Sequence, residues 1–113
     1  MEETRVNRLY EYDNLGDVQR SILVHLLAAY HRAESIEAGR AMLEAHGVEW
    51  REAIRPPETR SESASWSRGL RQLEARDLVV RWNPEGRRQA VFVELTPTGR
   101  RMAEWLAKFQ RGW

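Results

Sequence analysis

The feature that most constrains this chain is a change of hydrophobic period at Asp77. Upstream of it, apolar residues recur every three or four positions, as one face of a helix requires. Just downstream they crowd into two short runs rich in Val, Phe and Trp, residues 78–82 and 89–95. Between the runs, Asn83-Pro84-Glu85-Gly86 has Pro at the second position of a turn and Gly at the fourth. The pattern predicts a two-stranded β-hairpin with helices before and after it. Such a chain builds an α+β, mostly helical domain in which the hairpin packs beside a small bundle.

The helical spacing divides the rest of the chain into five segments. Val18, Ile22, Leu26 and Ala29, with Leu23, Leu27 and Tyr30, predict a core helix over 17–32 that Asp13 or Asn14 can cap. A weaker repeat through Ile36, Met42 and Leu43 predicts a helix over 35–46, ended by Gly47 in the left-handed conformation. Trp50, Ala53 and Ile54 fall on one side of a short helix over 48–55, and Pro56-Pro57 stops it. Thr59 and Glu62 have capping-box spacing, so a helix is expected over 60–76. Thr96 caps a final helix with Pro97 at its first position and Met102, Trp105, Leu106 and Phe109 as its apolar stripe.

With 113 residues, 42% of them apolar and 31% charged, the chain has the length and balance of a single globular domain over 1–113, residues 1–13 forming a flexible polar lead. It contains no Cys, which excludes disulfides, thiolate metal sites and cysteine nucleophiles. Its longest apolar stretch, residues 22–30, is interrupted by His25 and is far short of the ~20 residues of a membrane span. The start carries no apolar secretory core, so a soluble cytoplasmic protein is expected. No enzyme is expected either. His25, His31 and His46 lack paired metal-ligand spacing, and no phosphate-binding or dinucleotide glycine motif occurs, so neither metal nor cofactor is predicted. Trp50, Trp66 and Trp105 read as core residues rather than as a ligand box.

The helix over 60–76 carries the functional signal. At about 100° per residue, Leu70 and Leu73 fall within about 40° of Trp66 and form its inward face. The opposite face holds Ser61, Ala64, Ser65, Arg68, Arg71, Gln72 and Ala75, with no acid among them. A merely solvated face usually mixes both signs of charge. Small residues let a helix sit deep in a major groove, where Arg68 and Gln72 would meet base edges. Arg60, Ser61, Ser65 and Arg71 are candidates for phosphate contacts. Charge is also divided along the chain: residues 1–59 have seven Arg against eleven acids, net −4, and residues 60–113 have eleven basic residues against six acids, net +5. Arg87 and Arg88 follow the hairpin turn, with Arg81 on the partner strand, which gathers cations where a hairpin tip would meet a phosphate backbone or minor groove. The plainer reading is that these Arg residues keep an edge hairpin from aggregating.

A short helix, a Pro-containing turn, a second helix and a hairpin succeed one another in the order of a winged helix-turn-helix. Ser67-Arg68, Leu70, Leu73-Glu74, Leu78-Val79, Arg87-Arg88 and Leu95-Thr96-Pro97-Thr98-Gly99-Arg100 together resemble the recognition helix, wing and following helix of MarR-type regulators over about residues 59–106. The resemblance implies a transcriptional regulator of double-stranded DNA. It implies DNA contacts by Ser65, Ser67, Arg68 and Arg71 from the helix and by Arg87 or Arg88 from the wing. It also implies a homodimer, for which Trp105, Phe109 and Trp113 are the candidate residues. Three departures stand out: Asp77 where the family usually has Gly, a turn less acidic than the family's, and about ten additional residues before the recognition helix, which make the 35–46 helix an insertion. A winged-helix module that binds an acidic protein partner and no DNA is the alternative, because fold does not fix function.

Overall fold

The computed structural model describes residues 15–54, 59–83 and 92–109. Among them five helices surround a small antiparallel sheet, a mostly helical α+β arrangement. The order is α1 (Asp17–Glu34), α2 (Glu37–His46), β1 (Val48–Glu49), α3 (Trp50–Ala53), α4 (Arg60–Ala75), β2 (Val79–Trp82), β3 (Phe92–Leu95) and α5 (Pro97–Phe109). None of the helices among the described residues is long and apolar enough to cross a membrane.

α1 is the central element, because apolar residues occupy more of its circumference than one face. Ile22, Leu23 and Leu26 are fully buried, with Leu27, Ala29 and Tyr30 beside them. Against these pack Leu70 and Leu73 of α4 and Met102, Ala103 and Leu106 of α5. Each large side chain taken wholly out of water there stabilises the fold by about 1.5–3 kcal/mol. Trp50, Trp66 and Trp105 are only partly buried, packed against the core rather than within it. α1 starts after Gly16, whose backbone is extended, and its N-cap makes no side-chain hydrogen bond. Asp13 and Asn14, the expected caps, lie outside the described residues.

The sheet has three strands in the order β1-β3-β2, one more than the expected hairpin. β2 and β3 pair antiparallel with Val79 opposite Leu95 and Trp82 opposite Phe92. Val48 and Glu49 pair with Val93 and Phe92 on the other edge of β3, so the segment expected as a helix over 48–55 is strand for two residues and helix only over Trp50–Ala53. A partner more than forty residues away decides this, against the local helical spacing. Gly47 is adapted to the same junction. Its φ of 84° and ψ of −142° lie in the extended region reserved for glycine, not in the left-handed helical cap expected, because the chain turns at once into β1. A Cβ there would lie 2.2 Å from the carbonyl oxygen of Val93.

α4 ends and α5 begins at one hydrogen-bonded knot. The Leu78 amide donates to the Leu73 carbonyl at 3.0 Å and the Asp77 amide to the Glu74 carbonyl at 3.0 Å, the pair of bonds that closes a Schellman motif. Thr96 then joins the two helices. Its hydroxyl donates to the Asp77 carbonyl at 2.8 Å and accepts from the Gly99 amide at 3.0 Å, which makes it the expected cap of α5. Asp77 itself stands at φ 61°, in the left-handed region where a Cβ costs about 1–2 kcal/mol and Asp is among the more tolerant residues. The substitution Asp77→Gly is therefore expected to raise stability by about 1 kcal/mol in denaturant unfolding, and Asp77→Val to lower it by at least as much. A stabilising Asp77→Val would refute the conformational reading.

Candidate nucleic-acid interface

α4 is fixed at both ends, so the orientation of its outer face is determined. Thr59 Oγ1 accepts from the Glu62 amide at 3.1 Å, the expected N-terminal cap, and the Schellman motif closes the other end. Gly69, Leu70 and Leu73 are its buried residues. At Gly69 the helix comes so close to α1 that a Cβ would lie 3.0 Å from methyl groups of Val18 and Ile22. Trp66 lies over the rim of this contact, its ring edge-on to that of His25 at 5.8 Å. His25 in turn has Nδ1 2.7 Å from the Ser21 carbonyl; a carbonyl only accepts, so Nδ1 carries the proton.

The side turned away from α1 carries most of the predicted residues. Arg60, Ser61, Ser67, Arg68, Arg71 and Gln72 are exposed, and Ser65 is half-buried. Neither Arg68 nor Arg71 makes an ion pair among the described residues, which leaves two uncompensated guanidinium groups on this face. Gln72 is placed differently from the expectation. Its Oε1 accepts from Nε2 of Gln19 at 2.6 Å, so part of its hydrogen-bonding capacity is turned toward α1 instead of outward.

Arg81 departs further from its predicted role. Its Nη2 lies 2.8 Å from Oε1 of Glu74 and its Nε donates to the same oxygen at 3.0 Å. The Arg81 amide also donates to Oε2 of Glu74 at 3.3 Å. Glu74 thus clips β2 to the last turn of α4, and the Arg81 hydrogen bond is the main cause that holds its carboxyl below the usual carboxylate range. One positive charge leaves the expected cluster and one negative charge is neutralised beside the face. Arg87 and Arg88, like most of the predicted turn, lie outside the described residues, as does Trp113; of Phe109 only the backbone is described.

Trp82 and Gln19 were not legible as site residues. Trp82, at the end of β2 next to Arg81, is 43% exposed, and its Nε1 donates to Oε1 of Glu94 across the strand pair at 3.0 Å. The β run alone does not say which side of the sheet it takes, and the register with Phe92 does. Nothing in the sequence announces that Gln19, fifty-three positions earlier, reaches Gln72. Arg100, which lies in the resembling Thr-x-x-Gly-Arg stretch, is an internal brace: it is 3.0 Å from Glu34 and from Glu104 and sits over the Tyr30 ring at 5.7 Å. No family model matches the chain, and no curated protein or solved structure is significantly similar to it.

Proposed function

We propose that this protein binds double-stranded DNA in a sequence-dependent manner as a winged-helix transcriptional regulator, a homodimer on a two-fold-related site. α4 is the recognition helix in the major groove, and the β2–β3 hairpin meets the backbone or minor groove beside it. The observation that carries this reading is the outer face of α4: exposed small hydroxyl and methyl groups, two guanidinium groups with no ion pair among the described residues, and no acid on that face. The element order supports it, since after α1 and the intervening α2 come a strand, a short helix, α4 and a hairpin, with the lone strand added to the hairpin's edge. On this reading Arg68 meets base edges, Ser61, Ser65 and Arg71 hold phosphates, and Gln72, held in part by Gln19 of α1, flanks the contact.

A titration of the full chain with a mixed-sequence duplex at two salt concentrations tests it. Affinity is expected to fall on the order of a hundredfold between about 50 and 200 mM salt, as release of counterions from about four phosphates requires. No binding at low salt would refute the reading and favour a protein partner for the same basic face. Selection of bound duplexes from a random pool then reports sequence preference and half-site symmetry together.

A further inference from the structure

α2 is an amphipathic helix that buries none of its residues. Its start is pressed against the end of α1, where a Cβ on Gly39 would lie 2.4 Å from the Ala33 carbonyl oxygen. Its end is held on β3, where the ring of His46 stands 5.0 Å from that of Phe92. Between these two fixed points the helix spans a cleft of about 430 Å³, bounded by the C-terminal part of α1, β1, α3 and the first residue of β3. That volume falls within the range of about 300–1,000 Å³ that small-molecule pockets occupy.

The lining of the cleft states what it can hold. Ile36 and Met42, 60% and 46% exposed, are two of the three exposed large apolar side chains among the described residues, and both line it. Ala33, Val48 and Phe92 add apolar wall. Three charged residues complete the lining: Arg32, Glu49 and Glu52. None of them makes an ion pair among the described residues. Carboxylates outnumber the guanidinium, and Glu49 alone of the three is half-buried, whereas Arg32 and Glu52 are exposed to water. A charge acts more strongly where the surroundings are less polarisable, so the half-buried carboxylate of Glu49 is less screened by water than the exposed Arg32 and Glu52. We propose that this cleft binds a small organic cation, an amine carrying an apolar body, with the ammonium on Glu49 and the apolar part against Met42, Ile36 and Phe92. The site is built on the helix that the family pattern lacks, and it stands whether or not α4 meets DNA.

The test uses the full chain and three probes of similar shape: phenethylamine, phenethyl alcohol and phenylpropionate. The Met42 methyl resonance is followed during each titration. Phenethylamine is expected to shift it saturably, with the neutral alcohol about tenfold weaker and the anion weaker still. Glu49→Gln is expected to lower the amine to the alcohol's affinity and to leave the alcohol unchanged. An unshifted Met42 methyl, or an amine that binds no better than the alcohol or the anion, overturns the proposal. If Glu49→Gln does not fold, Met42→Trp, a change at an exposed position, fills the cleft instead, and the titration of that variant is followed on the Ile36 methyl resonances. The substitution is expected to abolish amine binding, and undiminished affinity in that variant overturns the proposal equally.

Discussion

Replacing Gly99 by alanine is expected to destabilise the fold by about 3 kcal/mol, although an alanine inside a helix ordinarily stabilises it by about 1 kcal/mol over glycine. The sign reverses because of what lies beside this glycine. A Cβ at Gly99 would stand 1.9 Å from the carbonyl oxygen of Leu78 and 2.8 Å from its carbonyl carbon. Those are main-chain atoms, and they cannot yield as the end of a side chain can. The Leu78 carbonyl already accepts from the Thr96 amide at 3.1 Å, and the Leu78 amide is bound to Leu73 at 3.0 Å. Relief therefore requires the first turn of α5 to lift off the strand, which breaks the Thr96 cap and opens the layer of Met102 and Leu106 behind it. At about 4–8 °C per kcal/mol for a domain of this size class, the melting temperature should fall by on the order of 10–20 °C. Gly16, where an added Cβ would meet nothing nearer than a Gln19 nitrogen at 3.9 Å, is the control, and Gly16→Ala should change stability by less than about 1 kcal/mol. A neutral Gly99→Ala would mean that α5 does not dock on Leu78 as described.

Much of this architecture was legible from residue order because it is decided locally. The Thr59 and Thr96 caps, the burial of Leu70 and Leu73, and the hairpin runs on either side of the turn all depend on neighbours within a few positions, where spacing and turn chemistry speak directly. β1 was not legible, since two residues acquire strand geometry only from Val93 and Phe92. Asp77 could be seen as a departure from a glycine position, but its positive φ follows from where Leu78 must go next. The site divides in the same way. The outward face of α4 follows from helical spacing. The diversion of Arg81 to Glu74 needs the strand to return along α4, and the diversion of Gln72 to Gln19 needs α1 packed beside it. Ile36 and Met42 show the limit of spacing most clearly. Their spacing predicts a helix without saying what faces them, and the structure leaves both exposed.

That division among the arginines yields the second prediction of large effect. Arg68→Glu is expected to weaken binding to a selected duplex by about 2–4 kcal/mol, on the order of 30- to 1,000-fold, because it removes a donor from a base edge and places a like charge against phosphate. Arg68→Ala, which only removes the donor, should cost about 1–3 kcal/mol on the selected site and much less on random duplex. Arg71→Ala should weaken binding to both duplexes alike and lower the salt slope by about one, as a phosphate contact does. Arg81→Ala is the internal comparison. Its guanidinium is bound to Glu74, so its loss should lower stability and leave the salt slope unchanged. The three alanine variants, measured by duplex titration at several salt concentrations, separate a base contact, a phosphate contact and a structural pair on the same few turns of chain. If Arg68→Ala loses equally on selected and random duplexes, Arg68 does not read bases. If Arg68→Glu binds the selected duplex as tightly as the parent, α4 is not the recognition helix.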